Sequence, residues 1–158
     1  MSKFPITWWE QQDISTNRVE QRGLLHCAIE IPGIPKRSIH CVCIHLSLFG
    51  TGRRKQLEII CDRIQKTVRP DEPLIVAGDT NDWMDITTDL FKTRLGLEEA
   101  FLAKEGKLAK SFPSLFPMMK LDRIYFKGFK VLETQVLSFR PWKTLSDHAA
   151  LRSKLEIL

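Results

Sequence analysis

The amino-acid sequence predicts a single domain of the α/β class, and three observations support this prediction. The chain has 158 residues, which is enough to bury one sizeable core and short for two. A predicted helix lies between two apolar strand segments, an order that is typical of a strand–helix–strand crossover unit. No internal repeat, low-complexity tract or interdomain linker divides the chain. Residues 1–158 are therefore interpreted as one domain.

Composition and charge narrow the class of protein further. Hydrophobic residues make up 43% of the chain and charged residues 27%, which is ordinary for a globular protein. No apolar run approaches the roughly 20 residues that a membrane-spanning helix needs. The N-terminal stretch MSKFPITWWEQQ lacks the apolar run of a secretory signal, so we expect a cytoplasmic protein. The net charge of +5 favours anionic partners such as nucleic acid, phosphorylated metabolites or acidic lipid surfaces, although such a charge also keeps proteins soluble.

The first two predicted strands lie in RGLLHCAIEIPG and RSIHCVCIHLSL and are joined by a turn at residues 32–35. Both faces of the second strand are largely apolar, which suits a central strand that is covered on two sides. Two cysteines in that strand are two positions apart, where they are poorly placed for a disulfide. We expect all four cysteines to be reduced core residues: Cys27, Cys41, Cys43 and Cys61.

A helix follows within FGTGRRKQLEIICDRIQKTV, from about Arg53 to Val68. Leu57, Ile60 and Ile64 fall on one helical stripe, so this helix should pack one face on a sheet. After the turn RPDEP, the next strand is LIVAGD. The remaining chain predicts one or two short helices within residues 84–104 and a proline-punctuated loop, SFPSLFP. The last predicted strands are KLDRIYFKG, FKVLETQVLSF and HAALRSKLEIL.

Polar residues cluster at the ends of these predicted strands. Singly, each has an ordinary explanation as a turn residue, a cap or a surface histidine. Together they form the inventory that metal-assisted phosphoester hydrolysis requires, because carboxylates suit Mg²⁺ or Mn²⁺ and can activate a water molecule. A histidine paired with an aspartate can stay cationic beside a phosphate. The candidates are His45, Asp79, Asn81, Asp122, Asp147 and His148.

Three motifs carry a family resemblance: PLIVAGDTND, KLDRIYF and LSDHAAL, in that order. They resemble the signature of the endonuclease/exonuclease/phosphatase superfamily, which has the fold of DNase I. The stretches CIHLSL and RRKQLEII are similar to the family's histidine-bearing strand and its Arg-x-x-Gln helix, here Arg53 and Gln56. The resemblance covers essentially the whole chain and looks closest to an uncharacterised bacterial branch. It implies a four-layer α/β/β/α sandwich, in which two sheets pack face to face with helices outside.

The resemblance implies a role for each residue that could contact substrate. Asp79 resembles the acid that positions the attacking water, and Asn81 resembles its phosphate-contacting neighbour. His45 is similar to the histidine of the DNase I and sphingomyelinase branches, which contacts phosphate or protonates the leaving group. Because exonuclease III-like repair enzymes carry a different motif at that strand, His45 argues mildly against such an enzyme. Arg53 is a further substrate-binding candidate.

The same resemblance implies a metal ligand and a histidine pair. Asp147 resembles the metal-liganding acid of the family, and His148 resembles its phosphate-binding histidine. Asp122 resembles the carboxylate that orients this histidine. We therefore expect Asp122 to lie within hydrogen-bond reach of the His148 ring and to favour the imidazolium.

One departure from the family pattern is large. The family's domain begins before SKFPI with a strand bearing an Asn and then a QE pair, whose Glu is a principal metal ligand. Glu10, Glu20 and Glu30 do not match that position. We therefore expect residues 1–158 to be the C-terminal portion of the domain, with a weakened or absent Mg²⁺ or Mn²⁺ site and little activity. The parent protein is expected to hydrolyse a phosphoester in nucleic acid, in a phospholipid head group or in a small molecule.

Two alternatives remain open at the level of the sequence. One is a zinc-binding module, although alternating residues within a hydrophobic strand match zinc-ligand spacing poorly. Its ligands would come from His26, Cys27, His40, Cys41, Cys43 and His45. The other is a non-catalytic interaction or phosphate-binding domain that has kept the fold and lost the chemistry.

An incomplete fold would also affect assembly. Apolar sheet surface and an unpaired strand edge would be left uncovered, and such surfaces invite strand addition or a symmetric dimer. We therefore expect a homodimer or a strand-exchanged oligomer, with residues 32–35 and the N-terminal segment as places for exchange.

Overall fold

The computed structural model of the chain describes residues 1–31, 33 and 38–158. Most of the turn predicted at residues 32–35 lies outside the described residues, which include only Gly33 of that segment. The strands are β1 (Ile6–Asp13), β2 (Gly23–Glu30), β3 (Ser38–His45), β4 (Leu74–Asp79), β5 (Glu98–Glu99), β6 (Asp122–Lys127), β7 (Phe129–Leu137) and β8 (Ala150–Ile157). The helices are α1 (Gly50–Thr67), α2 (Ile86–Leu95) and α3 (Ala100–Glu105), and a 3₁₀ turn spans Trp142–Thr144.

The larger sheet has the strand order β1-β2-β3-β4-β6-β5. β3 and β4 run parallel, whereas the other neighbouring strands run antiparallel. The parallel pair is joined through α1, as a crossover connection requires. As a result, β3 and β4 end at the same edge of the sheet, and the antiparallel β6 begins at that edge.

The main core lies between the larger sheet and α1. Leu57, Ile60 and Ile64 of α1 are 1%, 0% and 4% exposed, which confirms that the helix buries the predicted apolar stripe. They belong to one cluster with Val42 of β3 and Val76 of β4. The predicted helix therefore lies on the outer face of the sheet, as expected.

β7 and β8 form a second, two-stranded sheet that stacks on the opposite face of the larger one. Phe126 and Phe129 are buried at this interface, and Ile39, Ile75 and Leu155 pack against them. Two stacked sheets with helices outside are the arrangement that the sequence predicted. Within the described residues, no helix is both long and apolar enough to cross a membrane.

The sequence pattern did not predict β1. Side chains of β1 contact residues that lie far from β1 in the sequence. Arg63 Nε of α1 donates a hydrogen bond to Glu10 Oε1 at 2.6 Å. Trp8 packs edge-on against His26 of β2, with ring centroids 5.1 Å apart. Because these contacts are long-range, local periodicity gives no sign of them.

The prediction that all four cysteines are core residues is wrong in part. Cys61 is buried, Cys27 and Cys41 are half-buried, Cys43 is exposed, and all four thiols are free. The cause is the small second sheet, which packs against Ile39 and Ile75 but leaves the opposite end of β2 and β3 uncovered. The second face of β3 is therefore covered at one end only.

Candidate active site

Three candidate side chains form a row across three neighbouring strands. His45 of β3 pairs in register with Asp79 of β4, and Asp79 pairs in register with Asp122 of β6. Residues that are opposite each other in a sheet point to the same face. His45 Nε2 accordingly lies 3.5 Å from Asp79 Oδ2. The strand order alone thus brings together residues from three separate motifs.

Gly78 allows the close approach of β3 and β4 on which this row depends. Its φ is +147°, and a Cβ added there would lie 1.9 Å from the Ile44 carbonyl oxygen. Only glycine tolerates both the backbone angle and the contact. Gly78, which directly precedes Asp79, is therefore needed for the strand pairing that positions the Asp79 carboxylate.

Asp122 and His148 form the pair that the sequence predicted. His148 Nδ1 lies 2.7 Å from Asp122 Oδ2. The loop that carries His148 is fixed by backbone hydrogen bonds, because Ser114 N donates to the Asp147 carbonyl at 2.6 Å and Ala149 N donates to the Ser111 carbonyl at 2.7 Å. The expected geometry is confirmed, although the role of the pair in chemistry stays a prediction.

The pKa values of Asp79 and His148 are both raised, but for different reasons. Burial raises the pKa of Asp79, the charge of Asp122 adds to the rise, and the backbone N–H of Asn81 opposes it. Burial by itself would lower the pKa of His148, but the hydrogen bond to Asp122 and the nearby carboxylate charges outweigh it and raise the pKa. The Asp122–His148 pair therefore favours the imidazolium, as predicted.

Asn81 is positioned more tightly than the sequence suggested. It is 3% exposed and has a φ of +48°, which is unusual for a residue other than glycine. Its backbone N donates to Asp79 Oδ1, and its side-chain Nδ2 donates to the Leu46 carbonyl, both at 2.9 Å. The amide group of Asn81 therefore holds the chain that follows β3.

An open cleft of about 620 Å³ lies over this edge of the sheet. It is lined by all six residues of the predicted catalytic and metal-binding set: His45, Asp79, Asn81, Asp122, Asp147 and His148. Apolar side chains complete its wall, including those of Trp83, Phe112 and Met119. The structure thus brings the predicted residues together, while their individual functions stay predictions.

Arg53 is not among the residues that line the cleft, and its predicted substrate contact stays a prediction. Its side chain is buried at 4% exposure, and Nη1 donates to the carbonyls of Ser47 and Leu48 at 3.1 and 3.2 Å. Gln56 accepts a hydrogen bond from Ser47 N at 2.8 Å. The Arg-x-x-Gln pair therefore holds the loop after β3, because both side chains bind its backbone.

Sequence reasoning missed Arg22, whose side chain lines the cleft. Its Nη2 lies 3.3 Å from Glu20 Oε1, and its buried Nε has no hydrogen-bond partner among the described residues. A signal was present in the sequence, since Arg22 directly precedes β2. In an antiparallel pair, the start of β2 lies beside the end of β3, where His45 is found.

Asp82 and Arg123 brace the loops of the site. Asp82 Oδ2 accepts a hydrogen bond from Thr87 N at 2.5 Å, at the start of α2. Arg123, which is 1% exposed, donates from Nη2 to the Asp82 carbonyl and to Asp85 Oδ1, both at 3.1 Å. These contacts connect the segment after β4 to the start of β6, next to the strand positions of Asp79 and Asp122.

The described residues offer an incomplete set of ligands for a divalent cation. They contain no group of three or more His, Cys, Asp or Glu side chains that could hold a metal ion. Asp147 is exposed at the cleft, whereas Asp79 and Asp122 are engaged with Asn81 and His148. An oxygen ligand for Mg²⁺ or Mn²⁺ is therefore present, but the donor set is too small to fit the ion by itself.

The zinc alternative finds no support in this arrangement. His26 Nε2 lies 2.8 Å from His40 Nδ1 in the core beneath α1, and His40 Nε2 lies 3.3 Å from Glu72. Cys27 and Cys41 face each other in register on the opposite side of the sheet, because they alternate with the two histidines along β2 and β3. The sheet itself therefore separates His26 and His40 from Cys27 and Cys41.

Comparison with known proteins places the chain in a family. A family model described as the Endonuclease/Exonuclease/phosphatase family matches residues 1–148. The uncharacterised protein YbhP of Escherichia coli K12 is 37% identical over 158 residues, which cover 99% of this chain and 61% of YbhP. YbhP of Shigella flexneri matches to the same extent. The chain thus spans about 61% of the length of these relatives.

Several solved structures share the fold. An endonuclease/exonuclease/phosphatase from Bacteroides vulgatus is 18% identical with a TM-score of 0.79, covering 99% of this chain and 67% of that one. The mannosyl-6-phosphatase of Bacteroides thetaiotaomicron VPI-5482 is 18% identical with a TM-score of 0.78, covering 97% and 67%. TDP2 of D. rerio, complexed with a single strand DNA product, is 17% identical with a TM-score of 0.76, covering 96% and 68%.

At such identities these structures show the fold alone, and they confirm the predicted DNase I-like α/β sandwich. The family model extends over nearly the whole chain and includes the six predicted site residues that line the cleft. The resemblance seen in the sequence motifs is therefore confirmed, and the chain belongs to the endonuclease/exonuclease/phosphatase family.

Proposed function

We propose that this chain carries the water-activating and phosphate-binding side of a phosphoester hydrolase that depends on a divalent cation. The observation that supports this most directly is the row of His45, Asp79 and Asp122, with His148 held against Asp122 at 2.7 Å. A proton acceptor and an oriented imidazole thus face one cleft. The proton acceptor can activate a water molecule for attack on a phosphoester, and the imidazole can bind the phosphate oxygens.

Each residue has a separate task in this proposal. Asp79 accepts a proton from the attacking water, a task for which its raised pKa brings it nearer to neutral pH. His148 stays cationic through Asp122 and binds a phosphate oxygen, where negative charge develops during the reaction. Asn81 donates an N–H to the same phosphate, and His45 contacts the leaving-group side.

The divalent cation belongs to the proposal through Asp147. When bound, Mg²⁺ or Mn²⁺ would polarise the phosphoryl group and offset its negative charge. Because the described residues provide an incomplete set of ligands, further ligands would come from outside this chain's described part. We therefore propose that residues 1–158 form the C-terminal portion of a larger domain and bind anions with little turnover.

The substrate class stays open among phosphoesters at this level. Among similar structures, one is a mannosyl-6-phosphatase and another is complexed with a single strand DNA product. We propose that the whole protein acts on a phosphoester of nucleic acid, of a phospholipid head group or of a small molecule. The open shape of the cleft is compatible with an ester attached to a large group.

A non-catalytic phosphate-binding domain is the second candidate. The incomplete set of metal ligands favours it, because a cation held by Asp147 alone would be weakly bound. The two candidates differ in one measurable property, since only the first gains turnover when the missing ligands are restored.

Hydrolysis of bis(p-nitrophenyl) phosphate separates the candidates. The assay compares this chain with a version extended upstream in its own reading frame, with and without Mn²⁺. We expect anion binding without turnover in the chain and Mn²⁺-dependent hydrolysis in the extended protein, abolished by Asp79→Asn. Equal rates from both versions would show that the metal site is complete here, and no hydrolysis by either would favour the phosphate-binding domain.

A further inference from the structure

An exposed apolar surface lies beside the candidate active site. It is formed by two loops, residues 112–119 before β6 and residues 138–146 between β7 and β8. Six large apolar side chains in these loops are 40% to 73% exposed: Leu115, Phe116, Met118, Phe139, Trp142 and Leu145. We call these six side chains the apolar rim. Clustered exposure of this kind is uncommon on a surface that only contacts water.

Hydrogen bonds and a ring contact connect the loops of the apolar rim to the active site. Ser114 is 3% exposed, and its backbone N donates to the Asp147 carbonyl at 2.6 Å while its Oγ donates to the Lys143 carbonyl at 3.1 Å. Phe112 packs on the His148 ring with centroids 5.0 Å apart. The same two loops therefore display the rim, adjoin Asp147 and His148, and contribute Phe112 and Met119 to the wall of the cleft, so the rim lies beside the cleft.

The charge of these loops is positive. Lys120, Arg140 and Lys143 lie in or directly beside the two loops, and Asp147 of the site follows as the nearest acidic residue. Within the described part of the chain, none of the three cations forms an ion pair with an acidic side chain. Apolar and aromatic side chains that alternate with unpaired cations are typical of surfaces that bind anionic bilayers.

We propose that the apolar rim docks onto the surface of an anionic lipid bilayer and places the cleft over the phosphoester of a lipid head group. The docking proposal depends on the exposure and charge of the rim, whereas the choice of substrate rests on the proposed hydrolase function. Leu115, Met118 and Leu145 enter the boundary between head groups and acyl chains, and Trp142 lies at the level of the head groups. The unpaired cations bind anionic head groups around the rim.

The make-up of the rim favours a bilayer over single-stranded nucleic acid. Nucleic-acid surfaces use aromatic side chains on which successive bases stack. Half of the apolar rim is aliphatic, and side chains such as Leu115 and Leu145, at 73% and 69% exposure, gain nothing from stacking. They gain free energy by leaving water for an apolar phase.

Co-sedimentation with vesicles tests the docking without any need for turnover. The chain is mixed in EDTA with vesicles of phosphatidylcholine alone or with phosphatidylglycerol added, and binding is compared with that of Phe116→Gln/Leu145→Gln. A matched control, Ile59→Gln/Leu102→Gln, removes two exposed apolar side chains from α1 and α3, away from the rim. Circular dichroism verifies that each variant is folded, as expected for substitutions of exposed side chains.

We expect binding to anionic vesicles that weakens about tenfold in the rim variant and is unchanged in the control. Equal weakening in both variants would mean unspecific apolar adsorption and would overturn the proposal. Absence of vesicle binding would also overturn it. Rim-dependent binding of a single-stranded oligonucleotide, without binding to vesicles, would overturn it as well.

A second readout keeps the docking separate from the hydrolase function. The upstream-extended protein is assayed on soluble bis(p-nitrophenyl) phosphate and on vesicles of phosphatidylglycerol. The rim variant should hydrolyse the soluble ester normally and lose activity on the vesicles. Rim-dependent vesicle binding without hydrolysis of either ester would support the docking and contradict the hydrolase, whereas equal loss on both esters would overturn the docking.

Discussion

Asp122 gives the residue-scale prediction that follows most directly from the site, because its hydrogen bond to the His148 ring and, after it, its charge raise the pKa of His148. We expect Asp122→Asn to lower the pKa of His148, since the amide removes the charge that stabilises the imidazolium. Titration of the His148 ring by NMR measures this directly. Phosphate binding near neutral pH should weaken in parallel, by about tenfold.

The matched control for this change is Asp89→Asn, an exposed carboxylate of α2. It alters the net charge equally and lies outside the cleft lining. If both variants shift the His148 titration alike, the effect comes from the overall charge, and the orienting role of Asp122 is wrong.

Arg22 supplies a second prediction at this scale. The guanidinium group lines the cleft, and its buried Nε is unpartnered among the described residues. We expect Arg22→Gln to weaken sulfate or phosphate binding by roughly three- to tenfold, because a charge-assisted hydrogen bond to the anion is lost. Calorimetry measures the affinity. Arg18→Gln, an exposed arginine of the same segment, should leave it unchanged.

The sequence motifs predict which residues lie at the site, but they do not predict the orientation of every side chain. The motifs identified the six residues that meet in the cleft, because polar groups at strand ends share one edge of a sheet. They do not show which way the side chain of Arg53 turns. Whether its guanidinium group turns to the cleft or to the carbonyls of Ser47 and Leu48 depends on tertiary packing.

At the scale of elements, the β3–β4 pair predicts an unusual sensitivity at Gly78. We expect Gly78→Ala to destabilise the protein by about 3 kcal/mol or to prevent folding, because the methyl group would meet the Ile44 carbonyl. Gly106→Ala is the matched control, since Gly106 also has a positive φ, +70°, but nothing within 4 Å of the added Cβ. It should cost only about 1 kcal/mol.

Urea denaturation of both variants measures the difference in the free energy of unfolding. Equal costs at the two glycines would show that the backbone angle dominates and that the close approach of β3 and β4 is unimportant.

The histidine pair of β2 and β3 predicts how stability depends on pH. Burial, and after it the charge of His40, lowers the pKa of His26 from 6.5 to about 4. The unfolded chain therefore binds a proton that the folded protein disfavours, so stability is complete above pH 6.5 and falls as the pH drops toward 4. The free energy of unfolding should decrease by roughly 3 kcal/mol over that range.

Urea denaturation at pH values from 7 down to 4 tests this sign and size. His26→Gln should remove most of the slope, whereas His45→Gln, at an exposed histidine, should keep it. An unchanged slope in His26→Gln would assign the acid sensitivity to another group.

Helices and strands that follow from the local side-chain pattern were predicted, whereas those that depend on contacts between distant parts of the chain were not. The apolar stripe of α1 and the run of β4 follow from side-chain periodicity, and the structure confirms both. β1 was missed because Glu10 is held by Arg63, a contact that spans 53 positions of the chain. The coverage of β3 was overestimated because the extent of the second sheet is a property of the whole fold.

At the scale of the whole molecule, the uncovered part of the larger sheet predicts self-association. Leu25 is 40% exposed on β2, and the edge strand β1 offers free backbone groups. We expect a concentration-dependent dimer or strand-exchanged oligomer in sedimentation velocity, which Leu25→Lys should weaken. Val19→Lys, at 93% exposure outside the sheet, should leave it unchanged. A clean monomer at high concentration would contradict this prediction.

The row of His45, Asp79 and Asp122 ties anion binding to correct assembly of the sheet. A slip of one residue in either strand pairing would turn a site residue to the opposite face, so a misassembled molecule loses the site completely. A partly misassembled sample should therefore be a mixture of molecules with an intact anion site and molecules with no anion site. In calorimetric titrations of heat-stressed protein, the number of phosphate ions bound per chain should fall while the Kd of the remaining sites stays constant.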